Sequence, residues 1–156
     1  MPNGSRGLAE ARREEIIAAC EKLYKTVSFK NITLKDIGKA TTFTRTSIYN
    51  YFQTKEEIFL ALLQKEYEMW IGRLRQIREG NEQMEPLEFA DALAHSLEER
   101  ETLLKIMSMN HYDMEENSRI ERLIEFKVVY GKSLCDLLEY LSQRAVISEV
   151  FCDGVG

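Results

Sequence analysis

The stretch TTFTRTSIYNYFQTKEE, residues 41–57, concentrates side chains that form hydrogen bonds with a polyanion. Arg45 supplies a guanidinium, Thr44, Thr46 and Ser47 supply hydroxyls, Tyr49 and Tyr51 phenols, and Asn50 an amide. Ile48 and Phe52 stand four apart among them, so a short helix here has one side to bury and a polar side to present. An arginine at a helix start can grip guanine O6 and N7 with two parallel bonds, and Thr46 suits a thymine methyl or a base acceptor. Tyr49, Asn50 and Tyr51 carry donors for phosphate oxygens. Lys55 opens the next helix, where its ammonium and the unpaired N–H groups can meet one phosphate. The plainer alternative is a solvated helix in an ordinary bundle, with Tyr49 and Tyr51 packed on a neighbour.

The elements around this stretch decide between the two. Ile16, Ile17, Cys20, Leu23, Tyr24 and Val27 recur at helical spacing and predict a helix over 8–27, interrupted by SFKN at 28–31. Thr33 and Asp36 form a capping-box pattern, with Ile32 and Ile37 placed as a hydrophobic staple, and predict a short helix over 34–40. Thr44 is the next cap candidate, for a helix over 45–51. Thr54 and Glu57 offer another box, ahead of a long apolar stripe from Ile58 to Ile77 that predicts a helix over 55–79. EGNEQMEP (79–86) reads as a loop, Pro86 as the first turn of a helix to 98, and 101–109 as a shorter helix. HYDMEEN (111–117) reads as a loop. Ser118 with Glu121 is a further capping-box pattern before a long helix over 119–143, with Ile120, Leu123, Ile124, Val128, Leu134, Leu137, Leu138 and Leu141 expected inward. No segment alternates strongly at period two, so the chain is expected to be all-α. Its first three helices, the second and third short and joined tightly, have the helix-turn-helix arrangement.

Composition agrees with a polyanion-binding head. The 156 residues carry a formal net charge of −5, but residues 1–55 hold ten Lys and Arg against five acids, while the remainder holds eleven against twenty-one. With two prolines and eight glycines, long helices are permitted. No apolar run approaches the roughly 18 residues of a membrane span, and the N-terminus has no apolar stretch for a signal peptide, so a cytoplasmic location is expected. Cys20, Cys135 and Cys152 are scattered and read as reduced thiols. His95 and His111 lack partners at metal-site spacing, and no metal or cofactor is expected. No nucleophile elbow, phosphate-binding glycine loop, HExxH or acid cluster marks an enzyme.

TLKDIGKATTFTRTSIYNYFQTKEEIFLALL resembles the N-terminal domain of the tetracycline-repressor (TetR) family of bacterial transcription regulators. The resemblance rests on Thr33 capping the second helix, Ile37-Gly38 within it, the aromatic pair Tyr51-Phe52, and Lys55-Glu56 opening the fourth helix; the ordered match covers residues 10–64. Thr42 stands where the family commonly has a turn glycine, and Thr46 where it often has a small residue. The resemblance implies base contacts from Arg45, Thr46 and Tyr49, and phosphate contacts from Thr33, Thr44, Asn50, Tyr51 and Lys55. It implies a helix-turn-helix DNA-binding domain over 1–54 and a helical effector-binding and dimerisation domain over 55–156. The function implied is a repressor that binds a palindromic operator as a homodimer and is released by a small molecule. An effector pocket is expected between the fourth helix and the fifth to seventh, lined by Tyr67, Trp70, Met107, Phe126 and Tyr130; the same residues also suit plain core packing. The family usually continues past the last long helix, so either the chain is shortened at its C-terminus or the dimer uses other surfaces, such as the helix over 119–143. Effector binding is expected to tilt the fourth helix and lower operator affinity. The competing reading is a ligand-binding or interaction protein of the same fold that has lost operator binding.

Overall fold

A computed structural model of the chain describes residues 3–80, 84–109 and 111–142. Among them all regular structure is helical: α1 (Asn3–Tyr24), a 3-10 turn (Phe29–Asn31), α2 (Leu34–Lys39), α3 (Arg45–Ile48), α4 (Lys55–Gly80), α5 (Pro86–Glu98), α6 (Glu101–Met107), α7 (His111–Glu116) and α8 (Ile120–Ser142). The tail AVISEVFCDGVG, with Cys152, lies outside the described residues, as does the side chain of Leu141, which the periodicity expects inward.

The chain groups into two compact units. One comprises Met1–Leu63 with Met107–Phe126, the other Gln64–Ile106 with Lys127–Gly156. Both long segments therefore contribute to each, and neither unit is a continuous stretch of sequence.

In the first unit the core forms where the periodicity placed it. Ile16, Ile17 and Cys20 of α1, Ile37 of α2 and Ile48 of α3 are buried, with Phe52, Ile58, Phe59 and Leu62 following. Each such side chain contributes on the order of 1.5–3 kcal/mol by leaving water. The Tyr24 and Phe29 rings meet Phe59 edge-on, with centroids 5.0 and 4.8 Å away. α1 ends three residues before its expected stop. At Thr26 the backbone tightens to a three-residue bond, its N–H donating to the Leu23 carbonyl at 3.1 Å. α3 is likewise shorter than expected, but its turn continues: the Asn50 and Tyr51 N–H groups donate to the Ser47 and Ile48 carbonyls. At Gly38 a Cβ would stand 3.4 Å from Ile48 Cδ1 and 3.5 Å from Arg45 Cα, so α2 lies directly against α3.

Residues 111–117 correct the expectation of a loop. They form α7, followed by a turn, because no Gly or Pro interrupts them and Met114 is buried while its neighbours face outward. Its end is closed by side chains: Asn117 Nδ2 donates to the Asp113 carbonyl at 2.8 Å and Ser118 Oγ to that of Met114 at 2.6 Å. Ser118 therefore closes α7 instead of opening α8. Glu79 and Gly80 also belong to a helix, the last residues of α4, and residues 81–83 of the expected loop lie outside the described set.

In the second unit Ile71, Leu74 and Tyr140 are buried together, flanked by Trp70, Ile77, Leu93 and Leu137. Polar ends are satisfied at the margin. Trp70 Nε1 donates to Ser96 Oγ at 2.9 Å, and Arg75 Nε donates to Tyr140 Oη at 3.2 Å. α8 departs from expectation most. Ile120 (67%), Ile124 (58%), Val128 (65%) and Leu138 (62%) are exposed, and Leu134 is too, whereas Phe126, Ser133 and Tyr140 are buried. The helix is apolar on two faces, and the described residues cover only one of them.

Candidate nucleic-acid interface

α2 is held at its start by the expected capping box. The Asp36 N–H donates to Thr33 Oγ1 at 3.2 Å and the Thr33 N–H to Asp36 Oδ2 at 3.1 Å. The Thr33 hydroxyl, which donates to Asp36 Oδ2 at 2.6 Å, and then the Thr33 N–H hold the Asp36 carboxyl below the usual carboxylate range. The turn that follows is pinned to α1, since Glu15 Oε1 accepts from the Thr42 N–H at 2.7 Å and from Thr42 Oγ1 at 2.8 Å. Thr41 Oγ1 also donates to the Gly38 carbonyl at 2.8 Å. A turn without glycine is thus fixed by a carboxylate from the preceding helix.

Thr44 occupies the cap position of α3 in extended conformation, but its hydroxyl lies 3.1 Å from Ser47 Oγ instead of capping the backbone. Ile48 and Phe52 are fully buried, and the Arg13 guanidinium sits 5.5 Å above the Phe52 ring. With that side committed, Thr44, Arg45, Thr46, Tyr49 and Asn50 are exposed. Arg45 and Tyr49, four apart on one face, touch: Nη2 donates to Tyr49 Oη at 3.2 Å, and the guanidinium lies 5.9 Å from the ring centroid. This stacking shapes where the guanidinium stands and leaves further donors on it. Thr33 is exposed as well, though its hydroxyl is bonded to Asp36. Tyr51 is half-buried.

Lys55 is placed otherwise than the sequence suggested. Its ammonium donates inward to the Phe29 carbonyl at 2.8 Å and the Ile32 carbonyl at 3.0 Å, and lies 4.5 Å above the Phe29 ring. It anchors the 3-10 turn between α1 and α2.

Thr54 and Glu57 form only half of the expected box. The Glu57 N–H donates to Thr54 Oγ1 at 3.2 Å, but the Glu57 carboxylate accepts from the Gln53 N–H at 2.9 Å. Its main partner is Arg119, whose Nε, Nη2 and backbone N–H reach it at 2.8, 3.0 and 2.9 Å. Burial alone would raise the Glu57 carboxyl, but the bonds from the Arg119 guanidinium and from the Gln53 and Arg119 N–H groups outweigh it and hold the group below its usual range. Sequence reasoning missed Arg119 and Glu15. Neither has a local signal, because each partner lies at least 27 residues away.

Of the five expected effector-pocket residues, Tyr67 and Tyr130 meet edge-on at 5.2 Å between centroids. Trp70 is half-buried against Ser96 in the same unit. Met107 and Phe126 belong to the other unit, Phe126 buried and Met107 exposed. A surface cavity of about 450 Å³ in the first unit is lined by Leu23, Val27, Ile32, Asp36, Lys39 and Ala40, and by none of the five. Cys20 is buried, which pushes its thiol far up and leaves it unreactive; Cys135 is exposed. No described helix is long and apolar enough to cross a membrane.

Residues 16–62 match the family described as Bacterial regulatory proteins, tetR family. Residues 64–147 match the family described as Tetracyclin repressor-like, C-terminal domain. Among curated proteins nothing matches the chain.

Proposed function

The chain belongs to the tetR family of bacterial regulatory proteins and is a DNA-binding transcriptional regulator, and we propose that it is a ligand-responsive repressor acting as a homodimer on a palindromic operator in the cytoplasm. The observation that carries the DNA reading is the exposed polar face of α3 and its following turn, backed by buried Ile48 and Phe52. Arg45 and Thr46, at the start of α3, are the base readers, with Tyr49 beside Arg45. Thr44, Asn50 and Tyr51 donate to phosphates, and Thr33 stands exposed with its hydroxyl and N–H both given to Asp36. Lys55 contributes through the start of α4, its ammonium being engaged within the unit. Two half-sites about 34 Å apart require two copies, and the uncovered apolar face of α8 is the surface that would join them. The effector enters the second domain near Tyr67, Trp70 and Tyr130, with Met107 and Phe126 as further candidates. It releases DNA because it binds the DNA-incompetent state more tightly.

Size-exclusion chromatography with light scattering, run with and without duplex DNA at low salt, tests this reading. A dimer that shifts with DNA, and stops shifting on Arg45→Ala, is expected. A folded chain that binds no duplex would leave instead a ligand-binding or interaction protein of the same fold.

A further inference from the structure

Glu57 is 1% exposed, and its carboxylate accepts four hydrogen bonds from two places far apart in sequence. From the segment just after α3 comes the Gln53 N–H. From the residue just before α8 come the Arg119 N–H, Nε and Nη2. The same Nη2 lies 3.4 Å from the Tyr51 carbonyl. Next to the carboxylate, Thr54 Oγ1 donates to the Asn117 carbonyl at 2.9 Å. The segment Tyr51–Thr54 is therefore held on its polar side by Asn117 and Arg119, directly after the residues that face DNA.

A lone acid in the first turn of α4 needs no such partner. The helix dipole and the Thr54 hydroxyl would suit Glu57 at the surface. Burial makes the carboxylate depend on the cation, and buried ion pairs are rarely more stabilising than apolar side chains of equal volume. What the two-pronged guanidinium supplies is direction: parallel bonds fix both planes and, through Gln53 and Tyr51, the backbone between them.

We propose that Glu57 and Arg119 are positioning residues for the DNA-reading segment, so that residues 117–119 set how Arg45–Tyr51 are presented. The proposal rests on the DNA-binding reading above and adds to it a part of the reading unit contributed from beyond the helix-turn-helix.

The test uses the full chain and a duplex enriched from a random-sequence pool by the wild-type protein. Arg119→Lys keeps the charge and removes the fork; Glu57→Gln keeps the shape and removes the charge. Each variant is expected to lose tenfold or more in affinity at a temperature well below its own melting point. Amide exchange at Tyr51 and Gln53 is expected to accelerate at least tenfold while amides within α1 keep their wild-type rates. The double variant Glu57→Leu/Arg119→Met, which restores packing without the fork, is expected to melt near the wild type and still bind weakly. Wild-type affinity in that folded double variant, or unchanged exchange at Gln53 in Arg119→Lys, would overturn the proposal. If the wild type enriches no duplex, the regulator reading fails on its own, and the exchange rates still decide whether the pair orders the segment.

Discussion

Two surfaces of this molecule lie open to solvent for opposite reasons. On the turn of α3, the outward residues are polar: Arg45, Thr46, Tyr49 and Asn50 stand over a completed core of Ile48 and Phe52. On α8, the outward residues are apolar: Ile120, Ile124, Val128 and Leu138. The first surface costs little to expose, because water satisfies the donors that the Arg45–Tyr49 contact leaves free. The second is held in water against the hydrophobic effect, at about 25 cal/mol for each Å². An exposed apolar stripe marks a protein partner, whereas an exposed donor cluster over a rigid backing marks a polar one. The difference separates a surface backed by a completed core from an apolar one that the described residues leave uncovered.

Substitutions at each surface can break that contrast. The largest effect is expected beneath the polar one. Phe52→Ala removes a fully buried ring and the seat of the Arg13 guanidinium, and should cost about 3–5 kcal/mol in urea unfolding. If the loss were below about 1 kcal/mol, the surface would have no rigid backing. Next is Val128→Glu, which places a charge in the middle of the α8 stripe. The dimer should weaken by at least a hundredfold, about 2.7 kcal/mol, in sedimentation, while the monomer keeps its helicity. A variant that stayed dimeric would move the interface elsewhere. Arg45→Ala should cost about 1–3 kcal/mol in operator binding and relax the base preference at one position, with melting unchanged because the side chain is exposed. Equal loss on every sequence would make Arg45 a phosphate contact.

The smallest effect at neutral pH comes from acid. Glu57 has its folded-state pKa below the ordinary value near 4.3. The stability it contributes is fully present above that value and is lost as pH falls through the lower folded one. Wild-type melting should drop more steeply than that of Glu57→Gln on acidification from about pH 5. Parallel profiles would mean that another carboxylate governs the acid limb.

Much of the polar surface was legible in the sequence, since it depends on neighbours. The spacing of Ile48 and Phe52, the Thr33–Asp36 box and the stripe of α4 all act within a turn or two of helix. What stayed hidden acts at a distance or in ambiguity. Lys55 has a sequence that suits a phosphate, yet it closes on carbonyls between 23 and 26 residues away. α7 hides behind polar side chains with one buried methionine. α8 repeats apolar residues on both faces, so periodicity identifies a helix without saying which face the chain will cover.

The Glu57–Arg119 pair also has a consequence in time. A ribosome adds about 5–20 residues each second, so Arg119 is made roughly 3–12 s after Glu57. Throughout that interval the nascent chain lacks the cation that Glu57 meets in the folded structure. The Glu57 contacts thus stay incomplete during synthesis until residue 119 has been added.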